Sequence, residues 1–107
     1  MFESYIKVVD YCVKNDISLY EFEKICKIPV GTISNWQVEK PNLNHFIKVS
    51  MMMHVSPFWL ESGMILEEYD YRELCVIYIL RNTDSEGYES IIKTALHQAY
   101  KEPNQLS

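Results

Sequence analysis

Glycine and proline are scarce in this 107-residue chain, at three and four residues. Those two residues make most tight turns, so a many-turned sheet is disfavoured and helices are favoured. Cysteine is limited to Cys12, Cys26 and Cys75, odd in number and widely spaced. No CxxC pair occurs, and His45, His54 and His97 do not complete a zinc-finger spacing, which excludes a metal finger and a disulfide scaffold. Buried thiols in a reducing cytoplasm are the expectation. The N-terminus carries Glu3 and lacks a basic region followed by a long apolar stretch, so no secretory signal is read. No apolar run approaches the ~18 residues of a membrane helix. An activated nucleophile, a glycine-rich phosphate cradle and a metal cluster are missing too. Glu67, Glu68, Asp70 and Glu73 read as a solvated face and a helix cap. No enzyme, cofactor or metal is expected.

Positive charge is also in short supply. The formal net charge is −5, with −1 on residues 1–63 and −4 on residues 64–107. Affinity for a phosphate backbone comes from Lys and Arg, so the total is unpromising for a DNA binder. Segment 18–48 is weakly positive: Lys24, Lys27, Lys40 and Lys48 stand against Glu21, Glu23 and Glu39.

What the chain does have is apolar content, 48% of residues, enough for a core without crosslinks. Phe2, Ile6, Val9 and Val13 repeat at helical spacing and predict a first helix with that stripe inward. Ser18 with Glu21 predicts a capping box on a second, whose inner face is Phe22, Ile25 and Cys26. Pro29 suits a first helical turn, so a third helix is predicted over 29–38, with Ile33 and Trp36 inward. Lys40-Pro41-Asn42 breaks it. Leu43, Phe46, Ile47, Val49, Ser50 and Met53 predict a fourth helix, and the Met51-Met52-Met53 run is read as core, as is Trp59. Ser56 and Pro57 open a short fifth helix that Gly63 ends.

Beyond Gly63 the run Leu74-Cys75-Val76-Ile77-Tyr78-Ile79-Leu80 is apolar on every side. Such a helix must be buried on every side. Asp70 with Glu73, and Thr83 with Glu86, predict helix starts on either side of Asn82, and Pro103 closes the second helix. A strand over 74–80 is the alternative, given its β-branched content. The expected organisation is a five-helix domain at 1–63, a linker at 64–69, a separate helical hairpin at 70–102 and a tail at 103–107.

The ordered series Ser18 to Trp36, then Lys40-Pro41, Leu43-x-x-Phe46-Ile47-Lys48-Val49 and Val55-Ser56-x-x-Trp59-Leu60, resembles the Cro/C1-type, or Xre-like, helix-turn-helix regulators. Its most specific pieces are Gly31-Thr32-Ile33-Ser34-Asn35-Trp36 and Val55-Ser56-Pro57-Phe58-Trp59-Leu60. The match covers about 60 residues. The resemblance implies an all-α, lambda-repressor-like domain, followed here by a tail similar to the SinR-type helical hairpin used for pairing.

It also implies a double-stranded DNA operator as partner, with the third helix in the major groove. Val30, Gly31, Ser34 and Asn35 are then the base-contacting candidates. Asn35 offers a paired donor and acceptor to adenine, and Val30 a contact for a thymine methyl. Lys27, Thr32, Lys40 and Asn42 are the phosphate-contacting candidates. Leu74, Ile77, Tyr78, Leu80, Ile91 and Ala95 are the candidate dimer interface.

Two departures open a second reading. The outward face of the third helix holds no Lys or Arg where many relatives carry a basic residue near Gln37 or Val38, and Leu19 stands where they have a polar residue; Val30 and Val38 are apolar too and Glu39 is acidic. The first reading is a dimeric, cytoplasmic, DNA-binding repressor whose two half-sites add weak contacts. The second is a protein antagonist that pairs through its C-terminal helices with a related DNA-binding repressor. A homodimer or a heterodimer fits the tail, and neither reading involves a membrane.

Overall fold

The computed structural model describes residues 2–101. They form seven helices: α1 (Glu3–Lys14), α2 (Leu19–Cys26), α3 (Thr32–Asn35), α4 (Leu43–Met53), α5 (Pro57–Ser62), α6 (Tyr71–Asn82) and α7 (Ser85–Lys101). The all-α expectation is met. The strand alternative is overturned, because α6 runs through 74–80. The predicted tail at 103–107 lies outside the described residues.

Several helix ends follow local rules. Ser18 Oγ accepts from the Glu21 amide at 3.0 Å. The Glu21 carboxylate, however, takes the Ser18 hydroxyl rather than its backbone amide, so only half of the expected capping box forms. Ser56 Oγ accepts from the Phe58 and Trp59 amides, with Pro57 in the first turn and Gly63 closing α5 at φ 78°. Asp70 and Glu73 form the complete box expected of them. Thr83 does not cap α7. It ends α6 in extended conformation, and Asp84 accepts from the Gly87 amide at 2.7 Å instead.

The core is built around Val8, Phe22, Ile33, Val49 and Leu60, each essentially free of solvent. Its inward faces differ from the predicted ones in four places. Helix α1 buries Ser4, Val8 and Cys12, at four-residue spacing, and leaves Phe2, Ile6 and Val13 exposed. The helix carries two apolar stripes, and Lys7 helps select between them. Its ammonium donates to the Trp59 and Leu60 carbonyls at the end of α5 and lies over the Trp59 ring, 4.8 Å from the centroid. Helix α2 turns Glu23 inward and Ile25 outward. Of the three consecutive methionines only Met53 is buried. Trp59 is half-buried rather than central.

Helix α6 does not belong to a separate unit. It packs on α4 and α5, and Leu74, Cys75 and Tyr78 are buried there. Tyr78 stacks on Phe46 at 5.6 Å and meets Phe58 edge-on at 5.2 Å. The expected boundary after Gly63 is therefore not where the packing ends, and Leu74 and Tyr78 are corrected from interface residues to core. Of the seven-residue apolar run, Leu74, Cys75 and Tyr78 are buried, Ile77, Ile79 and Leu80 are half-buried and Val76 is exposed.

Helix α7 is different. Between Ser85 and Ala99 every side chain is exposed except the half-buried Ile91 and Gly87. The described residues extend over 48 × 27 × 26 Å, with a radius of gyration of 15.8 Å. A compact domain of this length has roughly 13 Å. The excess reflects α7 standing off the domain, so a tightly packed α6–α7 hairpin is not observed.

Candidate functional site

The α2–turn–α3 segment is held by a buried carboxylate. Glu23 has 2% of its surface exposed. Its Oε1 and Oε2 both accept from the Gly31 amide at 3.1 Å, and Oε2 accepts from the Ile33 amide at 2.9 Å. Amides at a helix start have no partner within the helix, and a carboxylate there also meets the positive end of the helix dipole. The cap comes from α2, eight to ten residues upstream, so it ties the two helices to each other. From the sequence, Glu23 counts only as a surface acid against DNA. It is the most consequential residue missed there, and its one signal was a place beside Phe22 on the face that buries Cys26.

The third helix is shorter than expected. The predicted span 29–38 contains an α-helix only at Thr32–Asn35. Gly31 precedes it at φ 92°, a left-handed conformation that costs an L-residue free energy and breaks the helix on its N-terminal side. Pro29 and Val30 therefore lie in the turn. After Asn35 the ladder tightens, with Trp36 bonding to Ile33 and Gln37 to Ser34. Lys27 ends α2 at φ 61°, also left-handed.

The base-contacting candidates divide in two. Val30 is 60% exposed, and Ser34 and Asn35 are also exposed. Gly31 is half-buried, and its amide is already taken by Glu23. Its part is conformational. Ile33 and Trp36 point inward as expected, at 0% and 2% exposure.

Among the phosphate-contacting candidates, Lys27 and Lys40 are exposed. Asn42 caps α4, its Oδ1 accepting from the His45 amide at 3.2 Å, which leaves its amide NH2 as a donor. Thr32 is a correction. Both its hydroxyl and its backbone amide donate to the Pro29 carbonyl, so its donors are spent inside the turn. A shallow groove of about 230 Å³ brings Thr32, Asn35, Lys40 and Asn42 together with Glu39 and His45. Lys27, Val30 and Ser34 do not line that groove. Glu39 sets a carboxylate beside Lys40, which weakens the groove for a polyanion.

The thiols are inert by environment. Burial is the main reason that Cys12 and Cys75 ionise above their usual range and that Cys26 is pushed up to about 12. Neighbouring Glu23 adds to the rise at Cys12 and Cys26. Among the described residues no group of three His, Cys, Asp or Glu side chains is placed to hold a metal ion. No described helix is long and apolar enough to cross a membrane. Comparison with models of protein families, with curated proteins and with solved structures gives no match.

Proposed function

We propose that this chain is a sequence-specific DNA-binding transcription regulator that acts as a dimeric repressor. The observation that carries the reading is the α2–turn–α3 segment pinned by Glu23, with Val30, Ser34 and Asn35 outward and Lys40 and Asn42 in the adjoining groove. In this reading α3 enters the major groove. Asn35 reads adenine, Ser34 serves as donor or acceptor, and Val30 meets a thymine methyl. Lys40, Lys27 and the Asn42 amide hold phosphates. Few cations serve each copy, so two copies on one operator are required for useful affinity.

The test is binding of the full chain to its own upstream DNA at several salt concentrations. A discrete complex is expected, weakening by about 0.9 log unit per phosphate contact for each log unit of salt. Asn35→Ala is expected to lose ~1–3 kcal/mol at one base position only, while Lys40→Ala weakens all sequences alike. Equal loss on every sequence for Asn35→Ala would remove its reading role.

One observation favours the second reading, a protein antagonist of a related repressor. Tyr20, Ile25, Val30 and Val38 are all exposed apolar residues on or beside the α2–α3 segment, and Glu39 shares the groove with Lys40. A surface of that make-up suits protein better than phosphate. Absence of any DNA complex at low salt, with capture of a DNA-binding relative by the same sample, is the result that selects it.

A further inference from the structure

The exposed residues of α7 are arranged so that the helix is complementary to itself. Tyr88, Ile91, Ile92, Ala95, Leu96 and Ala99 follow one another at three- and four-residue steps and form one apolar stripe. Tyr88 is 47% exposed, Ile92 38% and Leu96 64%. An isolated helix of this length is marginal in water, so a stripe this open calls for cover. Among the described residues nothing supplies it beyond the partial burial of Ile91.

The order of side chains says what the cover is. Tyr88 and Ala99 lie equally far from a midpoint between Lys93 and Thr94. So do Ile91 and Leu96, and Ile92 and Ala95. In an antiparallel pair centred there, Tyr88 falls opposite the second copy's Ala99, and Ile92 opposite its Ala95. In these two layers a large residue meets a small one, while Ile91 meets the second copy's Leu96 in the layer between them. A parallel pair would set Tyr88 on Tyr88 and Ala99 on Ala99, one layer crowded and the other empty. Charge agrees. Asp84, Glu86 and Glu89 lie at the N-terminal end, Lys93 at the centre, and His97 and Lys101 in the C-terminal half. Antiparallel pairing brings the acidic end of one helix beside the basic half of the other, and opposes the helix dipoles. Parallel pairing sets acids beside acids.

We propose that the partner of α7 is the α7 of a second copy of this chain, antiparallel, with its two-fold axis passing between Lys93 and Thr94. This deepens the dimeric part of the function proposed above and rests on that reading only for its use on DNA. It also revises the expected interface: Ile91 and Ala95 stay in it, Leu74 and Tyr78 leave it for the core, and the partly buried Ile77 and Leu80 on α6 lie outside the α7 pair. A single pair of helices buries less than the ~1,200 Å² of stable complexes, so association belongs to the micromolar range.

The experiment uses the full chain without DNA. Sedimentation at about 100 µM is expected to show a dimer that dissociates on dilution, and Ile92→Glu is expected to weaken it at least tenfold with an unchanged helical spectrum. Oxidative crosslinking then reads the register. Two copies of position 95 are offset along the axis by only about 4–5 Å, and two copies of position 99 by about 16 Å. Ala95→Cys should therefore crosslink to itself and Ala99→Cys should not, while Ala99→Cys mixed with Tyr88→Cys should. The native cysteines are buried, which keeps the background low. A monomer at that concentration, an intact dimer in Ile92→Glu, or any other crosslinking pattern overturns the proposal. Because DNA is absent throughout, failure here leaves the DNA-binding assay standing, and failure of that assay leaves the pairing standing.

Discussion

Removing the Glu23 carboxylate tests whether one buried acid holds α3 against α2. The side chain satisfies two amides, Gly31 and Ile33, through three contacts of 2.9–3.1 Å. A hydrogen bond to a charged group contributes ~1.5–3 kcal/mol net, and a buried donor left alone costs ~1–3 kcal/mol. Glu23→Ala deprives both amides, so the expected loss is ~3 kcal/mol, reduced if water enters the space. Glu23→Gln keeps the shape but loses the charge and turns an NH2 towards an NH, so about half that loss is expected. Total stabilities are ~5–15 kcal/mol, which makes either change large. Urea unfolding followed by helical circular dichroism supplies the free energies, and tryptophan fluorescence in a Trp59→Phe background, which leaves Trp36 alone, supplies a local probe. Hydrogen exchange supplies the site: Gly31 and Ile33 amides should lose protection before those of α1. A Glu23→Gln variant within ~0.5 kcal/mol of the parent, with both amides still protected, would refute the reasoning.

Three further outcomes are expected. Gly31→Ala should cost ~1–2 kcal/mol in the same unfolding assay, because φ is 92° and nothing lies within 4 Å of an added methyl, so the cost is conformational and not steric. Lys7→Met should cost ~1–2 kcal/mol by removing the charged donor to the Leu60 carbonyl and one of two donors to the Trp59 carbonyl, which keeps the Gly63 amide; a neutral result would remove Lys7 as the link between α1 and α5. Alkaline pH should destabilise the fold. Cys26 is raised from 9.0 and Tyr78 from 10.0, each to about 12 and each mainly by burial. Below pH 9 both groups are neutral folded or unfolded, and their contribution is fully present. From pH 9 towards 12 the unfolded chain sheds these protons while the fold retains them, so the urea midpoint should fall across that window. Cys26→Ala should make that fall shallower.

Features set by near neighbours were legible from the residues alone. Ser18, Ser56 with Pro57, Gly63 and Asp70 with Glu73 were read as helix ends, and they are, because a cap is closed by an amide two or three residues away. The inward positions of Ile33, Trp36 and Phe46 were read correctly too, since each lies in a stretch with one apolar face. The α-helical nature of the chain followed from the scarcity of glycine and proline. These are consequences of local sterics and hydrogen bonding, which the order of residues determines by itself.

Long-range packing decided the rest. Helix α1 has two apolar stripes, and only contact with α5 shows that Ser4, Val8 and Cys12 go in while Phe2, Ile6 and Val13 stay out. The partner amides of Glu23 lie across a turn, so its role required the fold. Pro29 made the third helix look complete, whereas the left-handed φ at Gly31 cuts it to four residues. The apolar run at 74–80 called for cover on all sides, and its spacing carried no information about who provides it. The tertiary structure answers for Leu74, Cys75 and Tyr78, which dock on α4 and α5. It leaves the stripe of α7 open among the described residues, because burial depends on which surfaces meet in space.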